Sequence, residues 1–74
     1  MKKVFVNGYG SIGSRIIQFI KDDPEIEVVG VGKYSPDSKV QEALDHGYKV
    51  YVPEKNQNAF SDFSIAGNIE SALD

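Results

Sequence analysis

Three glycines, Gly8, Gly10 and Gly13, follow directly on the apolar run Val4-Phe5-Val6 and open onto an isoleucine-rich stretch. No other feature limits so sharply what the chain can fold into. Val4, Phe5 and Val6 are β-branched or aromatic, the composition of a parallel strand that packs on both faces. The glycines then fall at the G-x-G-x-x-G spacing between that strand and a helix. In such a turn the first glycine permits the tight bend. The second lets the backbone approach a pyrophosphate, and the third lets helix and strand pack closely. The free N–H groups at the helix start, with the positive end of its dipole, then favour phosphate. The spacing alone is weak, since seven glycines in 74 residues produce loose matches; the strand before and the helix after carry the inference. The plainer alternative is a glycine-rich turn that binds nothing.

From Ser11 to about Asp22, Ile12, Ile16, Ile17 and Ile20 recur on one helical face. Asp22-Asp23-Pro24 ends the helix, because the residue before a proline is pushed out of helical geometry. Arg15 sits near the helix start, within range of a phosphate, but reads first as a solvated helix-face arginine. Residues 26–32, rich in β-branched side chains, form the next strand, and a crossover of this length sets it parallel to the first.

After that strand comes Lys33-Tyr34-Ser35. Where an unphosphorylated dinucleotide binds, an Asp or Glu about 20 residues beyond the glycine motif usually holds the ribose 2′-hydroxyl. A lysine and hydroxyls at that point instead suit a 2′-phosphate, and Tyr34 offers an aromatic face to an adenine. The alternative for Lys33 is a solvated loop lysine.

Ser35-Pro36-Asp37 opens a second helix, with Pro36 in its first turn, Asp37 complementing its dipole, and Val40, Ala43 and Leu44 as its apolar face. Gly47 is its stop signal, and His46 in the last turn complements the dipole. Residues 48–52 read as a third strand closed by Pro53, and 54–58 as loop or a frayed turn. Residues 59–66 have no clear period. Gly67-Asn68 starts a last helix with Asn68 as its cap and Ile69, Ala72 and Leu73 inside.

The order strand, helix, strand, helix, strand predicts an α/β fold: one βαβαβ half of a Rossmann-type doubly wound parallel sheet, strand order 3-2-1, truncated before the fourth strand. Composition narrows the function. Eight Lys and Arg are scattered among eleven acids, a net charge of −3, which argues against nucleic acid and anionic membranes as partners. No apolar run approaches the ~20 residues of a membrane span. The short run after Met1-Lys2-Lys3 is no signal-peptide core, so a cytoplasmic location is expected. With no cysteine and one histidine, neither a thiolate nucleophile nor a metal cluster is expected.

The run Asn7-Gly8-Tyr9-Gly10-Ser11-Ile12-Gly13, with Arg15 beyond it, resembles the amino terminus of glyceraldehyde-3-phosphate dehydrogenase, particularly its archaeal-type branch. The bacterial and eukaryotic branch reads N-G-F-G-R-I-G-R, so Tyr9 and Ser11 replace Phe and Arg. The likeness continues through Val29-Gly30-Val31-Gly32-Lys33, Ser35-Pro36-Asp37 and residues 47–53. Near the end, residues 65–70 resemble the family's I-x-V-A-G-T-V-E-D segment, with Asn68 for Thr.

The resemblance implies a cofactor site made of Asn7, Gly8, Gly10, Ser11, Ile12, Gly13, Lys33, Tyr34 and Ser35, with Ser11 and Ile12 against the pyrophosphate. Lys33 and Tyr34 would face the adenine ribose and any 2′-phosphate, although the family more often has Thr than Tyr there. The implied cofactors are NADP, preferred, and NAD. Family chemistry is oxidative phosphorylation of glyceraldehyde 3-phosphate, in which a cysteine attacks the aldehyde, a histidine takes a proton and hydride passes to the nicotinamide. The cysteine belongs to a downstream S-C-N-T-T segment, so residues 1–74 are expected to be the front of an NAD(P)-binding Rossmann domain, with the catalytic domain and all catalytic residues outside them. The full-length enzyme is expected to be a homo-oligomer, a tetramer by resemblance. Two other readings stay open: another N-G-x-G-x-x-G dehydrogenase, such as a semialdehyde or homoserine dehydrogenase, and a non-catalytic nucleotide-binding module.

Overall fold

The computed structural model describes residues 1–72. In chain order the elements are β1 (Lys2–Asn7), α1 (Ser11–Ile20), β2 (Ile26–Gly32), α2 (Ser38–Asp45), β3 (Val50–Val52), a 3₁₀ segment (Glu54–Phe60), β4 (Gly67–Asn68) and α3 (Ile69–Ala72). The four strands form one parallel sheet in the order β1-β2-β3-β4, an open α/β fold of the Rossmann-like kind. All strands therefore end on the same side, where Asn7, Gly32, Val52 and Asn68 stand at their carboxyl ends.

Pairing of β1 with β2 runs from Lys2 opposite Ile26 to Val4 opposite Val28, then skips Val29 so that Phe5 lies opposite Gly30. The bulge sets Gly30 beneath two rings: a Cβ there would lie 2.7 Å from Tyr51 Cε1 and 3.3 Å from Phe5 Cδ2. Phe5 and Tyr51 accordingly pack at 5.6 Å between centroids, tilted by 55°, a favourable aromatic geometry.

The core is built where strand meets α2. Val40 and Ala43 of α2, Val31, Val50 and Val52 of the sheet, and Phe60 of the 3₁₀ segment lose all solvent contact, joined by Val6, Tyr9 and Ile17. Gly47, at φ +85°, stops the chain after α2 as the sequence predicts.

Several expectations need correction. The sheet carries a fourth strand, because Gly67–Asn68 pairs with β3 as β4 before the last helix begins. Asn68 still caps that helix, its Oδ1 accepting from the Ser71 N–H at 2.9 Å; Leu73 lies outside the described residues. Pro36 precedes α2, since Asp37 is the N-cap and accepts from the Lys39 N–H. The third strand is shorter than residues 48–52, because the Tyr48 N–H is taken by the Ala43 carbonyl at the end of α2. The stretch 54–60 is a 3₁₀ segment held down by buried Phe60.

The helix α1 forms as expected, but its apolar face is only partly covered. Only Gly13 and Ile17 are buried, whereas Ile12, Ile16 and Phe19 form a neighbouring stripe that is exposed. The reason lies beneath the helix: β1 pairs only with β2 among the described residues, so α1 lies over a sheet edge. For the same reason Val4 and Phe5 are only half-buried, not covered on both faces.

Candidate functional site

The glycine turn sits where the carboxyl ends of β1 and β2 meet the start of α1. Gly8 has φ +108°, a conformation that a side chain would strain. The N–H groups of Gly8 and Tyr9 both donate to the Gly32 carbonyl, at 3.1 and 2.7 Å, so the turn is fastened to the end of β2. A Cβ on Gly13 would overlap the Gly8 carbonyl oxygen, so only glycine lets α1 start this close to the turn.

Gly10 is different. Its φ is −136°, and a Cβ there would meet nothing within 4 Å. The protein itself makes no demand for glycine at this position. The space beside it is open, at a helix start with no side-chain cap and no acid in the first turn. The N–H groups of Ser11, Ile12 and Gly13, in that first turn, have no intrahelical acceptor. Ser11 and Ile12 are exposed. Donors with a positive dipole end and unfilled space suit an anion.

Tyr9 stabilises the turn in a way the sequence does not announce. Its ring is buried, 6.5 Å from that of Tyr48, and its hydroxyl donates to Glu42 Oε2 on α2 at 2.8 Å. Lys39 Nζ lies 3.3 Å from the same oxygen. Burial first, then the neighbouring Glu42, pushes the Tyr9 hydroxyl well above its ordinary range, so it stays a donor at any working pH. That hydrogen bond holds the Glu42 carboxyl below its usual value. An aromatic ring inside a glycine motif was the available signal; its partner 33 positions away was not.

The other expected residues separate into two groups. Asn7 and Tyr34 meet: the Tyr34 hydroxyl donates to Asn7 Oδ1 at 2.7 Å, across Gly32, where a Cβ would come within 2.6 Å of the same oxygen. Beside Tyr34 a cleft of about 340 Å³ opens between Pro53, Lys55, Ile69 and Glu70. Lys33 is turned elsewhere. It is only 4% exposed, and its ammonium donates to Asp37 Oδ1 at 2.7 Å. Lys33 is thus neither a solvated loop lysine nor a free cation. The ammonium beside Asp37 holds that carboxyl below the usual carboxylate range. Ser35 is exposed on the turn before α2, its carbonyl accepting from the Asp37 N–H. Arg15 is exposed on α1, and His46 caps the end of α2 beside Tyr48.

An open parallel sheet with a glycine turn leading from its first strand to an uncapped helix start defines the chain as a Rossmann-like α/β protein. Its sequence is 40% identical over 73 residues to glyceraldehyde-3-phosphate dehydrogenase of Sulfolobus acidocaldarius, covering 96% of this chain and 21% of the relative. The same-named protein of Sulfurisphaera tokodaii is 43% identical over 73 residues, with the same coverage. That of Hyperthermus butylicus is 40% identical over 74 residues, covering 97% of this chain and 22% of the relative. By sequence the chain is similar to the glyceraldehyde-3-phosphate dehydrogenases of these archaea, and it spans about a fifth of their length. No family model matches the chain. No helix among the described residues is long and apolar enough to cross a membrane.

Proposed function

We propose that residues 1–74 form the amino-terminal part of the dinucleotide-binding domain of a glyceraldehyde-3-phosphate dehydrogenase. In this reading the protein uses NADP, preferred, or NAD in the oxidative phosphorylation of glyceraldehyde 3-phosphate, as a cytoplasmic homo-oligomer. The observation that carries the reading is the open space at Gly10 beside the uncapped start of α1. The residues present fit a dinucleotide. Ser11, Ile12 and Gly13 would receive the diphosphate on their N–H groups, and Gly8 shapes the turn that holds them there. Tyr34 and Asn7 flank the adenosine end, and the cleft lined by Tyr34, Pro53 and Ile69 has the size and apolar walls that suit a base. Lys33 with Ser35, and not an acid, directly follows β2 where a bare ribose 2′-hydroxyl would be held, and the nearest carboxylate, Asp37, is engaged by the Lys33 ammonium.

The bound dinucleotide supplies the hydride acceptor. This chain's residues bind and orient it; they include no cysteine to carry an acyl group, so the nucleophile would lie outside these residues. Calorimetric titration with NADP and NAD tests the reading. Both should bind, with NADP tighter by a few-fold to tenfold, roughly the scale of one solvent-screened charge pair. Lys33→Met, which keeps the buried stem and removes the charge, should erase the difference. No binding of either cofactor contradicts the reading, and a clear NAD preference contradicts its NADP part.

A further inference from the structure

We infer that Asp37 sets how strongly this site favours a 2′-phosphorylated nucleotide, by competing with the phosphate for the Lys33 ammonium. The inference rests on the dinucleotide reading above and concerns the chain's own ion pair. Lys33 is the buried charged side chain among the described residues, and its Nζ lies 2.7 Å from Asp37 Oδ1. The same oxygen accepts from the Lys39 N–H at 3.0 Å, so two donors fix the carboxylate at the N-cap of α2. The side chain of Asp37 is 51% exposed and that of Lys33 only 5%, so the acid, not the ammonium, faces solvent. The nearby cation Lys39 is turned to Glu42.

A phosphate approaching this corner therefore meets a carboxylate first. It gains the ammonium only by displacing that carboxylate or by sharing the ammonium against like-charge repulsion. Lys33 alone would give a strong preference for the 2′-phosphate; Lys33 held by Asp37 gives a weak one. Asp37 is thus a positioning residue whose charge, and not its capping oxygen, tunes specificity.

The two properties can be separated. Asp37→Asn keeps an N-cap oxygen for the Lys39 N–H and removes the charge, and Asp37→Ser does the same with a shorter cap. The probes are 2′,5′-ADP and 5′-ADP, titrated calorimetrically into the full chain. In both variants 2′,5′-ADP should bind tighter by about tenfold, the scale of one charge-assisted hydrogen bond regained, while 5′-ADP stays unchanged. Adding Lys33→Met should abolish that gain. A merely structural role for Asp37 would weaken both probes together and leave their ratio alone. An unchanged ratio in both variants overturns the inference while wild-type binding of the two probes leaves the dinucleotide reading standing. Failure of the wild-type chain to bind either probe overturns the dinucleotide reading and this inference with it.

Discussion

Around α2 and β3 the apolar side chains are sealed, with Val31, Val40, Val50, Val52 and Phe60 cut off from solvent. On α1 the opposite holds: Ile12 is 75% exposed and Phe19 is 88% exposed. The glycine turn belongs to the second region. It is held by the Gly13 and Ile17 contacts, by two hydrogen bonds to the Gly32 carbonyl and by the Tyr9–Glu42 bond. On the proposed reading, stability and anion binding fall on different parts of the sheet, which predicts that mutations can separate them.

The largest effect should come from the sealed side. Phe60→Ala removes a fully buried ring and should cost about 3–5 kcal/mol by urea denaturation, whereas Phe19→Ala should stay within about 0.5 kcal/mol. Equal costs would show that the two regions are packed alike. Next is Gly13→Ala, where the added methyl overlaps the Gly8 carbonyl; it should cost about 1–3 kcal/mol and shift α1 away from the turn. An unchanged thermal midpoint would show that α1 is not held where the structure puts it. Tyr9→Phe should cost roughly 1 kcal/mol, because one part-buried hydrogen bond is lost while Glu42 stays solvated. It should also weaken dinucleotide binding, since the turn loses its tie to α2.

The smallest effect is a pH dependence. Lys33 lowers the folded-state carboxyl of Asp37, so this pair's contribution is complete above the unfolded aspartate range, about 3.9. It fades as pH falls through the lower folded value. Because Asp37 is half exposed, the loss should stay under about 1 kcal/mol. Comparing acid unfolding of the wild type with Asp37→Asn checks the sign: below that range the two curves should converge.

Much of the fold is legible in the sequence because its signals are local. The glycine spacing, Pro24, Gly47 and Pro53 mark turns by backbone chemistry that needs no tertiary context. The exposed stripe of α1 was not legible, since hydrophobic periodicity shows that a face is apolar but not whether a neighbour covers it. β4 was missed because two residues carry no period, and their pairing depends on β3. At the turn, the backbone roles of Gly8 and Gly13 could be read from the motif. Asp37 could not be assigned to Lys33, because four-residue spacing implies contact only on a helix and residues 34–37 precede α2.

On the proposed reading, the turn at the start of α1 receives the diphosphate of a dinucleotide. The direct measurement follows backbone amide shifts of the isotope-labelled chain during titration with NADP, in the wild type and in Gly10→Val. The Ser11, Ile12 and Gly13 amides should move most in the wild type. In Gly10→Val, whose Cβ enters open space, the thermal midpoint should hold while those shifts disappear. Shifts confined to other residues, or a Gly10→Val chain that binds as the wild type does, would contradict that reading.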